Sequence, residues 1–197
     1  MAEIALSRRD MATAEDCFSQ LIALDDSVFL RRELSQLYAQ NRMYDQARAM
    51  LEKAKSIRGL SNDEKYRLDL DIGSLWEQER RDDEASRVYE NLDARLPSGH
   101  WMKRELASRR IDMARRTGNV ESLLKILETQ WKSPTLEQRL ELAQLYDETG
   151  RTADAENQYK KAMALKSDNA ETHEKYIAFF VFCCSISRNL LPLYITT

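Results

Sequence analysis

Residues 136–169 read LEQRLELAQLYDETGRTADAENQYKKAMALKSDN. Two apolar stripes run through them, interrupted near Gly150. Leu142, Ala143 and Tyr146 form one; Ala155, Tyr159 and Ala162 form the other. Residues three or four apart share a helix face. Small residues let two helices approach, and large ones fill the gap beside them. The stretch therefore predicts two antiparallel helices joined at Gly150, where a left-handed residue is often needed.

The pattern recurs outward along the chain. A small residue followed four positions later by a large apolar one appears as Ala14/Phe18, Ala47/Leu51, Ala85/Tyr89 and Ala155/Tyr159, with Leu123/Leu127 as a looser copy. The steps between first members are 33, 38, 38 and 32. Nine positions before each lies Ala5, Tyr38, Trp76, Ala114 or Tyr146. Three before that come Ser35, Gly73, Ile111 and Ala143. Spacing is constant within a unit and variable between units. That predicts fixed hairpins, with insertions in the loops between them. Capping-box spacing at Ser61–Glu64, Thr135–Gln138 and Asp168–Glu171 starts three of the first helices. Gly118 sits in another hairpin turn.

Small-x-x-Tyr, a short turn, Ala-x-x-x-Tyr and a closing loop together resemble the tetratricopeptide repeat. Residues 136–169 carry the fullest copy; 28–61 and 66–99 also match, with Pro97 where that family closes a repeat. Residues 104–135 are degenerate: Arg110 replaces an apolar residue, Ile111 a small one and Leu123 the usual Ala. The resemblance implies an all-α fold, a right-handed α-α superhelix (solenoid) of antiparallel helix hairpins. Residues 1–180 then form the array, with partial repeats at 1–27 and 170–180, and 181–197 form an apolar tail outside it.

Composition agrees with helices. The 197 residues include only 5 Gly and 3 Pro, and 32% are charged. The net charge of -3 gives no basic excess for nucleic acid or an acidic membrane. Cys17, Cys183 and Cys184 show no metal or disulfide spacing. With no secretory signal at the start, a reducing cytoplasmic compartment is expected. Residues 177–197 carry a single charge, Arg188. The clean apolar run is about ten residues, where a membrane span needs about 20. A membrane role is therefore not expected, although a tail anchor, an irregular cap and a truncated array are all readings of this end.

Nothing in the sequence points to catalysis. There is no phosphate loop, dinucleotide fingerprint or nucleophile elbow. His100 and His173 lack ligand spacing and read as surface or capping residues. Trp76, Trp101 and Trp131 read as packing residues, Trp101 being the exception to expect because it adjoins a loop. The chain is expected to be no enzyme and to hold no cofactor or metal.

The resemblance implies that first helices line a concave groove that binds a peptide or helix of another protein. By register, the groove positions are Arg32, Gln36 and Gln40, then Arg67, Leu70, Ser74 and Gln78. Ser108, Arg109, Asp112 and Arg116 follow, then Leu140, Glu141, Gln144 and Glu148. Such a groove changes sign, from basic near Arg109 and Arg116 to acidic near Glu141 and Glu148. Some members clamp a chaperone's terminal carboxylate with Lys and Asn. The matching positions here hold Arg32, Gln36, Asp71, Glu105 and Arg109, so that role is disfavoured. The expected function is a non-catalytic scaffold; the alternative is the repeat arm of a larger enzyme or transport and assembly machine.

Overall fold

In a computed structural model, residues 4–5, 8, 10–166 and 169–190 are described, with side chains as far as 181. These residues form helices and no strand. The helices are α1 Met11–Leu24, α2 Val28–Gln40, α3 Tyr44–Lys55, α4 Asn62–Gln78, α5 Asp82–Arg95, α6 Met102–Thr117, α7 Val120–Gln130, α8 Leu136–Glu148, α9 Thr152–Leu165 and α10 Ala170–Leu190. The chain divides into two compact units, Met1–Met113 and Ala114–Thr197. Within the first, α2 pairs with α3 and α4 with α5; within the second, α8 pairs with α9. This is an all-α helical-repeat fold.

The helix starts follow from side-chain oxygens that accept otherwise unpaired backbone N–H groups. Asp10 caps α1, Ser27 caps α2, and Ser61 and Thr135 close reciprocal capping boxes at α4 and α8. At α10 the acceptor is Asn169, whose Oδ1 takes the Thr172 N–H at 2.9 Å. The box expected from Asp168 lies outside the described residues. So do parts of the partial first helix near the start and the side chains of Cys183 and Cys184.

The second helices begin differently. α3, α5, α7 and α9 have no side-chain cap. Their entry is set by the turn itself. Met43 N–H donates to the Tyr38 carbonyl, Arg81 to Trp76, Asn119 to Ala114 and Arg151 to Tyr146, at 2.9, 2.9, 2.8 and 2.7 Å. The residue before each donor is left-handed: Arg42, Arg80, Gly118 and Gly150, with φ of 59°, 66°, 74° and 74°. One backbone turn is thus built four times, twice on glycine and twice on arginine.

The predicted stripes form the core. Ala14, Ala47, Ala85 and Ala155 are fully buried, and Phe18, Leu51, Tyr89, Leu127 and Tyr159 nearly so. Gly73 shows how closely the helices approach. A Cβ there would lie 2.2 Å from Cε1 of Tyr89. Ser35 holds the same place on α2 and donates its hydroxyl to the Ala47 carbonyl at 2.9 Å. The degenerate repeat keeps its burial pattern: Ile111 is 2% and Arg110 only 6% exposed, with the guanidinium facing Glu90 at 3.8 Å. An ionised side chain survives there because a carboxylate accompanies it.

α10 continues past Phe180 to Leu190. Among the described residues, no helix is long and apolar enough to cross a membrane.

Candidate interaction groove

The first helices α2 and α4 enclose a cavity of about 500 Å3. Phe29, Arg32, Glu33, Gln36 and Gln40 line it from α2; Asp71, Ser74 and Gln78 line it from α4. Their spacing is that of one helix face: 29, 32, 36 and 40 on one side, 71, 74 and 78 on the other. The opposite faces of both helices are spent on the core, where Leu34, Tyr38, Leu68 and Ile72 are buried.

The lining is polar, with Arg32 paired to Asp71 and the exposed carboxylate of Glu33 leaving it net acidic. Arg32 Nε donates to Asp71 Oδ2 at 2.6 Å, joining α2 to α4. Gln78 Nε2 donates to Ser74 Oγ at 3.4 Å. Gln36, Gln40 and Gln78 are exposed, and each presents both an amide donor and an acceptor. Phe29, 72% exposed, supplies an aromatic surface at the edge. Sequence reasoning missed Phe29. It sits three residues before Arg32 and seven before Gln36, so helical period alone could have placed it on this face.

Five expected groove residues, Arg32, Gln36, Gln40, Ser74 and Gln78, thus come together around one cavity. Others have different surroundings. Leu70 is 9% exposed and packs with the core of Tyr89, Leu92 and Leu106. Leu140 is 4% exposed. Both are core residues and not groove surface, because their helices bury a wider face than the repeat markers alone indicate. Arg67 is exposed, its guanidinium 5.7 Å from the Trp101 ring. Ser108 and Asp112 lie exposed on α6, as does Arg116; Glu141 and Gln144 are half-buried on α8.

Two of the charges behind the expected change of sign, Arg109 and Glu148, are paired within the protein. Arg109 Nε donates to Glu105 Oε1 at 2.7 Å, and its Nη1 lies 3.5 Å from Glu77 Oε2. Glu77 also accepts the Tyr89 hydroxyl at 2.8 Å. Burial, and then that carboxylate, push the Tyr89 phenol well above its ordinary range, so it remains a donor. In the second unit Arg115 grips Glu148 through Nε and Nη2, at 3.0 and 2.7 Å to Oε1. Pairs within one helix can be read from spacing, as Glu105 and Arg109 could have been. Pairs between helices cannot.

The remaining candidates fall into place. His100 is a capping histidine: Nδ1 accepts the Met102 N–H at 3.2 Å. Trp101 is the exposed tryptophan, 55% accessible and stacked on His100. Two guanidinium groups lie over the Trp76 ring, Arg48 at 3.3 Å and Arg81 at 4.5 Å from its centre. Cys17 is half-buried with a free thiol. Among the described residues no cluster of His, Cys, Asp or Glu has metal-binding geometry.

The tetratricopeptide-repeat family model matches residues 33–59 and 139–169. No curated protein sequence matches the chain. Among solved structures, it resembles the C-terminal part of a TPR repeat-containing protein of Cytophaga hutchinsonii. That match has a TM-score of 0.58 and 18% identity over 90% of this chain and 68% of that one. The nearly identical TPR-like repeats of a kinesin light chain candidate from Podosopora anserina match with a TM-score of 0.53. They are 18% identical over 84% of this chain and 92% of that one. At such identities the likeness is one of fold.

Proposed function

We propose that this chain, whose residues 33–59 and 139–169 match the tetratricopeptide-repeat model, is a non-catalytic interaction module that holds a segment of another protein between α2 and α4. The observation that carries this reading is the amide- and hydroxyl-lined cavity beside exposed Phe29. Gln36, Gln40, Ser74 and Gln78 can satisfy the N–H and C=O groups of a peptide backbone, which must find partners when taken out of water. Phe29 offers apolar area at the rim. The Arg32–Asp71 pair sets a limit on the ligand. A carboxylate-terminated peptide would have to displace Asp71, so an internal, weakly charged segment fits better. A reducing cytoplasmic setting belongs to the same reading and rests on the cysteine pattern.

Filling the cavity tests it. Gln36→Trp with Ser74→Trp should abolish the capture of partners from lysate by the full chain. Arg87→Trp with Asn91→Trp, at exposed sites on α5, should leave capture intact. Equal capture by both double variants, with equal melting temperatures, overturns the assignment.

A further inference from the structure

Two arginines of the first unit are held by the same device. The Arg48 guanidinium of α3 lies 3.3 Å over the Trp76 ring, and its Nη1 donates to Glu79 Oε2 at 2.6 Å. The Arg95 guanidinium, at the end of α5, lies 6.0 Å from the centre of the Tyr66 ring and donates through Nη2 to Asp69. Each time, an aromatic residue of α4 and an acid three positions later take an arginine from a neighbouring helix. The ring faces the cation, and the carboxylate accepts its N–H groups. A similar pair stands at the cavity between α2 and α4. Phe29 and Glu33, four apart on α2, both line it. Cβ atoms at that spacing are about 5–6 Å apart. Both side chains are exposed. Among the described residues, no lysine or arginine pairs with Glu33. Arg32, the nearest in sequence, is turned to Asp71.

We propose that the Phe29–Glu33 pair takes an arginine of the partner segment, so that the charge this weakly charged segment brings into the cavity is positive. The inference rests on the reading of the α2/α4 cavity as the place where the partner is held. Charge decides the sign. Arg32 and Asp71 offset one another, and the Glu33 carboxylate leaves the lining net acidic. Shape decides between the two basic side chains. A planar guanidinium lies on a ring and presents its fork to a carboxylate at the same time, whereas an ammonium is a compact, strongly hydrated point charge. Arginine is also what both internal copies of the device hold. Gln36 and Gln40 follow Glu33 on the same helix face and meet the backbone that flanks the arginine.

The test selects a random dodecapeptide library, displayed on phage, against the full chain. The most enriched peptide is then synthesised with a fluorescent label and titrated by anisotropy. Enriched peptides should share an arginine. Replacing that arginine by glutamine should weaken binding about tenfold, and Glu33→Gln in the chain should do the same. The two losses should not add, because both remove one contact. Phe29→Ala should weaken binding about threefold. Both substitutions fall at exposed sites and should leave the melting temperature unchanged. If Phe29→Ala lowers it, the Glu33 cycle alone decides. Gln36→Trp with Ser74→Trp separates this inference from the reading beneath it. Suppose that double variant blocks the peptide, but the arginine is absent or its loss adds to that of Glu33→Gln. The cavity reading then stands and the arginine inference is overturned. A peptide that binds the filled cavity as well as the open one overturns both, as does a selection that enriches no peptide.

Discussion

The α4/α5 hairpin of the first unit and the α8/α9 hairpin of the second make the same object from different residues. Each turns on a left-handed position, Arg80 in one and Gly150 in the other. Each closes with one long-range turn bond, 2.9 Å from Arg81 to Trp76 and 2.7 Å from Arg151 to Tyr146. In each, that arginine lies 4.5 Å from the aromatic ring it bonds back to and pairs with an acid three residues on, Glu84 or Asp154. The packing differs in one respect. Tyr89 faces a glycine and anchors its hydroxyl on Glu77; Tyr159 belongs to a hairpin with Ala143 in that place. Hairpin geometry is held by backbone and volume, and the residues that supply them are interchangeable within those limits.

The largest break in this likeness should come from the two tyrosines. Tyr89→Ala should cost about 4 kcal/mol and Tyr159→Ala about 3 kcal/mol, read from chemical denaturation. The larger figure reflects the loss of the hydrogen bond that the Tyr89 hydroxyl donates to Glu77. Equal losses would remove the distinction between the hairpins. Next comes Gly73→Ala, expected to destabilise by about 2 kcal/mol through overpacking against Tyr89, despite the better helix propensity of alanine. A neutral outcome would mean that the ring can move aside.

The turn positions are predicted to respond in opposite directions. Gly150→Ala should cost about 1 kcal/mol, because φ is positive and no atom lies near enough to add a clash. Arg80→Gly should raise the melting temperature slightly by releasing the same strain. The smallest effect is electrostatic. Hydrogen bonds from the Ser61 hydroxyl and then its backbone N–H hold the Glu64 carboxyl below its ordinary range. A depressed carboxylate stabilises above its unfolded pKa and loses that contribution as pH falls through the folded value. Ser61→Ala should therefore lower the melting temperature at neutral pH, and the difference should narrow at about pH 3.

Much of this architecture was legible in the sequence, for a definite reason. The Ala-x-x-x-large marker encodes helix proximity, and proximity is a local matter of side-chain size at fixed spacing. Ala47, Ala85 and Ala155 are buried where that marker placed them. The site was less legible. Gln36, Gln40, Ser74 and Gln78 follow from the register, but Leu70 and Leu140 belong to the core. The charges on Arg32, Arg109 and Glu148 are engaged by Asp71, Glu105 and Arg115. Two of those pairs join different helices, and no one-dimensional period reports them. The left-handed Arg42 and Arg80 were within reach, each four residues after the large marker, as Gly150 is after Tyr146. Composition hid them, since arginine does not announce a turn.

The central claim is that a partner is held at the α2/α4 cavity. Site-specific photocrosslinking tests it most directly, with a benzophenone side chain placed in the full chain at Gln36, at Gln78, or at the exposed Arg87 of α5. The account predicts one discrete crosslinked protein from the first two positions and none from the third. Crosslinks from Arg87 equal to those from Gln36 and Gln78 would contradict it.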